Sequence, residues 1–424
     1  MPAERTGERM TLEKKYPELL APAGDREALE AAVRFGADAV YLAGKRFGMR
    51  SAPGNFTLEA LRDAVDFCHR SGVRVYLTCN TLPRSAELPE LEAFLPQAAG
   101  CGIDAFIATD FGTLRMLKRV APEVEIHIST QAGVTNYETA CAFYELGARR
   151  VIPAREISLE EIRLMRQNIP DDMEIECFVH GAMCVSFSGR CLLSNYLTGR
   201  DSNRGECAQP CRWRYHLVEE TRPGQYFPIG EDEEGTLILN ARDMCMIRHI
   251  PELVEAGVCS FKIEGRAKSP YYVSAVVNAY RAAIDGYLRD PRPDYVPPQW
   301  ALDEVYKISH REYCTGFFFG DPRENAEIYS EHQYRRYYEC VADALSWEDG
   351  VLHCRQRNKI WAGDEIEIVQ RGEAPRTIRA EGLRTPEGEP LEATPHPMML
   401  YEMSVPFPVQ PGSLIRKAKE QSFV

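Results

Sequence analysis

Short apolar runs rich in β-branched or aromatic residues recur along the first part of the chain, most of them after a Gly-led break: 18–21 (ELLA), 38–42 (DAVYL), 73–78 (VRVYLT), 104–108 (DAFIA), 125–129 (EIHIS), 151–154 (VIPA), 174–179 (EIECFV) and 259–263 (CSFKI). Between them lie amphipathic stretches such as 25–35 and 58–69, with apolar residues at helical spacing and Gly just beyond, where a left-handed cap is easiest. Eight such units in succession predict an α/β chain with a (β/α)8 TIM-like barrel; a doubly wound sheet is the alternative, because strand order is not visible in sequence.

The same patterning divides the chain. A tail at 1–15 precedes the predicted barrel, 16–290, which a helix at 270–287 closes. The seventh and eighth strands are separated by about 80 residues, so that roughly 181–256 reads as a cysteine-bearing insertion of the kind that is usually functional in compact domains. A Pro-rich stretch (DPRPDYVPPQW) opens a linker and bridging segment, 291–336. From 337 to 424 the alternation in YYECVADAL, GVLHCRQR, DEIEIVQR and SLIRKA predicts a small C-terminal antiparallel β-barrel or sandwich.

Composition narrows the function. Apolar residues at 44% offset the entropy of ordering the backbone, which excludes a disordered chain. No window approaches the roughly 20 apolar residues of a membrane span, and positions 1–15 lack the apolar core of a signal peptide, so the expectation is a cytoplasmic protein without a membrane partner. In a reducing cytosol its 14 cysteines are not a disulfide framework, and clustered ones read as metal, cluster or redox ligands. A formal charge of -13 argues against indiscriminate nucleic-acid binding while leaving room for a local basic face. There is no Walker motif, no G-x-G-x-x-G after a strand, no H-E-x-x-H and no G-x-S-x-G, which removes the commonest nucleotide-binding and hydrolase explanations.

Barrel geometry then locates the chemistry, since loops leaving the C-terminal ends of the strands build the active face. The polar residues there are Asp25, Asn80, Asp110, Ser129 with Gln131, Arg155, His180, and Glu264 with Arg266. Singly, each reads as a cap or loop hydrogen bonder before it reads as a catalyst; convergence on one rim is what gives them weight.

The insertion is more specific. Cys184, Cys191, Cys207 and Cys211 are spaced x6, x15 and x3, and four thiolates from one loop can enclose an iron-sulfur cluster or a tetrahedral Zn²⁺. Only the last pair resembles a zinc knuckle, and Cys177 falls inside an apolar strand where a thiol acts as a small hydrophobe. Arg190, Arg200, Arg204, Arg212 and Arg214 gather here with Tyr196, Trp213 and Tyr215. Guanidinium groups clamp phosphate or carboxylate and aromatics stack on unpaired bases; equally, the positive charge offsets thiolates.

FVHGAMCVSFSGRCLLSNYLTGRD with ECAQPCRWRY, the opening ELLAPAG, GADAVYL, SFKIEGRAKSPYYV and HREYCTGF (310–317) closely resemble the collagenase-like peptidase family U-32, in particular its tRNA uridine hydroxylation branch. The resemblance covers nearly the whole chain, although the stretch after Cys211 is shorter than in proteobacterial relatives. It implies an oxygen-independent hydroxylase that converts a wobble uridine to 5-hydroxyuridine, with a [4Fe-4S] cluster on Cys184, Cys191, Cys207 and Cys211, and with prephenate as donor of the hydroxyl group. On that reading His180, Arg155 and Glu264 are the catalytic candidates, and Asn80, Asp110, Gln131, Arg190, Tyr196, Arg200 and Arg266 the substrate-binding ones; Arg155, Arg190 or Arg266 would meet the donor's carboxylates. The anticodon arm of tRNA, a small carboxylate donor and a paralogous subunit are the expected partners. Two alternatives remain: a collagenase-like peptidase, for which His180, Glu176 and Cys184 would have to assemble, and an RNA-binding scaffold braced by zinc or a cluster.

Overall fold

A computed structural model describes residues 17–50, 54–184, 186–213, 230–232, 235–237, 242–320 and 335–419. The expected barrel is present. Its strands are β1 (Glu18–Pro22), β2 (Ala39–Ala43), β3 (Arg74–Cys79), β4 (Ala105–Ala108), β5 (Glu125–Ile128), β6 (Arg150–Val151) and β7 (Glu174–Ala182), in parallel sequence order. The excursion that follows carries a short hairpin, β8 (Gly230–Asp232) with β9 (Gly235–Leu237), and then β10 (Asp243–Cys245); β11 (Ser260–Ile263) pairs in parallel with both β7 and β1 and closes the ring. β6 is shorter than the VIPA run suggests because Pro153 has no N–H to give to a ladder.

Helices α1 (Arg26–Phe35), α2 (Leu58–Arg70), α3 (Leu88–Ala99), α4 (Phe111–Val120), α5 (Tyr137–Glu145) and α6 (Leu159–Asn168) return the chain between strands. Asp25, Thr57, Asp110, Asn136 and Ser158 each accept an N-terminal N–H, satisfying donors that a helix leaves open. The excursion holds α7 (Leu193–Thr198) and α8 (Ile250–Glu255), and α9 (Pro270–Arg289) completes the wall.

Two strands extend the barrel sheet beyond the ring. β10 runs antiparallel to the far end of β7, and β12 (Tyr313–Cys314) pairs with β10. The bridging segment is therefore partly ordered into the barrel: α10 (Gln299–Glu304) packs on α9 and β12 joins the sheet. The C-terminal domain follows as β13 (Tyr338–Glu348), β14 (Val351–Gln356), β15 (Glu365–Val369), β16 (Arg376–Arg379), β17 (Glu381–Arg384), β18 (Leu400–Ser404) and β19 (Leu414–Ala418). These pair antiparallel in the order β16-β15-β19-β13-β14-β18-β17, a sheet domain whose end strands are not paired with each other.

The domain has its own core, including Val341, Leu352, Ile366, Tyr401 and Ile415, and is fastened to the barrel wall. Arg416, fully buried, donates to Glu304 of α10 at 2.8 Å and to Glu367 at 2.6 Å. Asn278 of α9 donates to the Gln370 carbonyl and accepts from the Gly372 N–H. Val369 and Leu414 join the apolar core of the barrel itself.

The floor of the barrel lumen is ionic. Arg150 donates to Glu18 at 2.7 Å and to Glu176 at 2.8 Å; Tyr76 donates to Glu18, Lys262 to Glu176 and Ser260 to Glu18. Each charge is paired, as buried charges must be, and the C-terminal ends of the strands lie at the opposite end.

Candidate active site

At that end Glu264 follows directly on β11, two residues beyond Lys262, and the two charges act on one another. Three guanidinium groups surround its carboxylate. Arg50, from the loop after β2, and Arg155, from the loop after β6, each lie 3.6 Å from it. Arg266, from β11's own exit, donates to Thr78 at 2.9 Å and to the Arg50 carbonyl at 3.3 Å. Burial alone would raise the Glu264 carboxyl, but Arg50, Arg155 and Arg266 outweigh it and hold it below the ordinary carboxylate range. Burial, with Arg50 adding to it, brings Arg266 down to about 10. Three positive groups against one carboxylate leave this mouth with surplus positive charge, in a protein that is acidic as a whole.

The cysteine excursion lies across this mouth and is tied to it at both sides. On one side Ser188 donates from its N–H and its hydroxyl to Glu156, and Arg190 donates to the Gln131 carbonyl at 2.8 Å. On the other, Arg204 pairs with Glu87. Gly205, at φ +88°, sits so close to the loop after β2 that a Cβ would meet the Gly48 carbonyl oxygen at 2.9 Å and the Arg50 nitrogen at 3.1 Å. That contact carries Cys207 toward Arg50, whose charged neighbours include Glu264, Cys184 and Cys207. Within the excursion, Ser202 and Asn203 donate to the Cys191 carbonyl, and the Pro210–Arg212 turn bearing Cys211 packs against α7.

Cys191 and Cys207 both lie within electrostatic reach of Cys184. Cys184 is exposed at the surface, yet the protein packed around it raises its thiol by desolvation; a backbone hydrogen bond at Ser186 and the Arg155 charge oppose this, while Cys191 and Cys207 add to it. The donor chemistry, soft sulfurs from one excursion over a cationic mouth, fits a thiolate-bound cluster, whose ligands carry negative charge. Among the described residues no three histidine, cysteine or carboxylate side chains converge as ligands of a single metal ion. Arg214 and Tyr215 lie outside the described residues, as does the side chain of Arg212.

The other expected site residues divide clearly. Arg155, Glu264 and Arg266 meet at the mouth. Asn80 accepts the Met49 N–H at 3.1 Å and so holds the loop that delivers Arg50. Asp110 is committed to capping α4, and Gln131 to anchoring Arg190 through its carbonyl. Tyr196 and Arg200 are exposed on and after α7.

His180 is elsewhere. The register between β7 and β11 shifts after Phe178, so that Lys262 pairs with Phe178 and Ile263 with His180. This bulge reverses the alternation of faces, and the imidazole turns to the wall, packed among Tyr272 and Tyr280 of α9 and Tyr313 of β12. Burial pushes it down to about 3, with Asp243, His310 and Lys268 as its charged neighbours. Glu176 belongs to the ionic floor. The triad of His180, Glu176 and Cys184 that a cysteine peptidase would require is not assembled. Sequence reasoning missed Arg50; the only signal was a Gly-rich loop carrying Lys45, Arg46 and Arg50 after the second strand.

Comparison with known proteins places this arrangement in a family. Residues 24–328 match peptidase family U32, and residues 336–416 match the C-terminal domain of that family. The chain is similar to tRNA hydroxylation protein P1 of Bacillus subtilis, 37% identical over 96% of each chain. It is also similar to an uncharacterized protease of Methanocaldococcus jannaschii, 41% identical over 74% of this chain and 76% of that one. A third relative is the 23S rRNA 5-hydroxycytidine C2501 synthase of Escherichia coli, 35% identical over 66% of this chain and 41% of that protein. On the family match and the identities together, the chain belongs to peptidase family U32.

Proposed function

We propose that the protein hydroxylates RNA, and specifically that it converts the wobble uridine of certain tRNAs to 5-hydroxyuridine in the cytoplasm. The observation that carries this reading is the mouth itself: Arg50, Arg155 and Arg266 around the single carboxylate of Glu264, beneath a cysteine excursion, in a chain matched end to end by a relative named for tRNA hydroxylation. Cys184, Cys191, Cys207 and Cys211 would hold a [4Fe-4S] cluster, which when bound supplies one-electron transfer beside the mouth. The donor is a small polycarboxylate, prephenate on the family resemblance, and bidentate guanidinium contacts from Arg155 and Arg266 orient it, with Arg50 completing the clamp. Arg190, held against Gln131 at the edge of the excursion, meets the RNA rather than the donor. An extruded uridine enters from the same side, because a stacked base hides its C5. The C-terminal domain steadies the anticodon arm from the wall formed by α1, α9 and α10.

Among the described residues no helix is long and apolar enough to cross a membrane. Deleting the gene and measuring tRNA nucleosides tests the reading: 5-hydroxyuridine should disappear, and an unchanged content would remove the proposal. Protein purified without oxygen should carry iron and acid-labile sulfide in near-equal amounts; zinc in their place would move the weight to an RNA-binding scaffold. Cleavage of denatured collagen that survives loss of the four thiols would favour the peptidase.

A further inference from the structure

The excursion exposes more large apolar side chains than its firm construction explains. Tyr196 is 85% exposed and Leu192 75%, and Phe187, Leu197 and Trp213 are exposed as well. Looseness does not account for this. Ser194, fully buried, donates to the Arg200 carbonyl and accepts the Ala208 N–H, and Thr198 donates back to Ser194. The segment is internally bonded and still turns its apolar groups to water, which in a folded protein marks an interaction surface.

We propose that Leu192 and Tyr196 form a platform on which unpaired bases of an RNA loop stack at the edge of the mouth. The inference rests on the RNA-modification reading and names the part of the substrate that this surface takes. Leu192 and Tyr196 are four residues apart and share one face around α7. Arg190 and Arg200 flank them, and among the described residues neither is in an ion pair, whereas Arg50, Arg155 and Arg204 each face a carboxylate. Apolar faces close in sequence to guanidinium groups that no carboxylate neutralises suit a single strand, whose bases offer π-faces between phosphates; a continuous duplex offers none. A second copy of the chain suits it less well, because a two-fold contact would bring two sets of arginines without carboxylate partners into one interface.

Binding of an unmodified tRNA transcript with uridine first in the anticodon tests this on the full-length protein purified without oxygen. Tyr196→Ala should weaken binding by about tenfold or more, and Tyr196→Phe should stay within about twofold of the parent. Arg200→Gln should lower the steepness of the salt dependence by roughly one phosphate contact. A transcript lacking the anticodon arm should bind weakly and be indifferent to Tyr196→Ala. Equal affinity of Tyr196→Ala and the parent would overturn the proposal. So would light scattering that shows the parent to be a dimer and Tyr196→Ala a monomer, since the surface would then be a contact between copies. Complementation separates this from the function: if Tyr196→Ala fully restores 5-hydroxyuridine in a strain that lacks it, the platform fails and the hydroxylase stands.

Discussion

Gly205 shows how much of the site depends on one backbone position. Its positive φ and its approach to the Gly48 carbonyl leave no room for a side chain, and the partners are backbone atoms that cannot swing aside. Gly205→Ala should cost about 1–3 kcal/mol in urea unfolding and, by lifting Cys207 from Arg50, lower the iron content of the anaerobic protein. A second residue-scale test concerns His180. Its folded value of about 3 is below the 6.5 of the exposed side chain, so the unfolded chain takes up the proton first. Stability should therefore fall as pH drops below 6.5, by up to about 1.4 kcal/mol per unit, with no contribution above that pH. His180→Gln should narrow the loss between pH 7 and pH 5 by about 2 kcal/mol, read from urea midpoints. An equally steep loss in the variant would mean that His127 and His310, also pushed down by burial, carry the acid sensitivity.

At the scale of elements, the joint between β19 and α10 is ionic. Arg416→Ala leaves Glu304 buried without its partner and should cost about 3–5 kcal/mol, whereas replacing Arg416 and Glu304 together by Met and Leu should recover most of it; urea denaturation of the three proteins decides. The eight barrel strands were legible because parallel strands covered on both faces read as short apolar runs between helical periods. The strands β10 and β12 were not, because three- and two-residue strands at a sheet edge leave no periodicity. The bulge in β7 was equally invisible: His180 continues an apolar strand toward the rim in sequence, and only the register shift sends it to the wall. The positions of Arg155, Glu264 and Arg266 at strand exits, and of Cys184, Cys191 and Cys207 in one excursion, could be read from the loops that carry them. Asp110 could be read only as a polar residue at a strand exit, where a helix cap and a ligand group look alike.

The whole molecule is a barrel with its charges paired at the floor and unbalanced at the mouth, a cysteine excursion pinned over that mouth, and a sheet domain clamped to the wall. The four thiols are not part of the barrel core. Replacing Cys191 and Cys207 by Ser should leave the thermal midpoint of the apoprotein within a few degrees while removing activity. The most direct measurement is the 5-hydroxyuridine content of total tRNA from cells lacking this chain, supplied with either the parent protein or the Cys191→Ser, Cys207→Ser variant. Restoration by the parent and none by the variant is the expected result. Full restoration by the variant, or an undiminished content without any copy of the chain, would contradict the account.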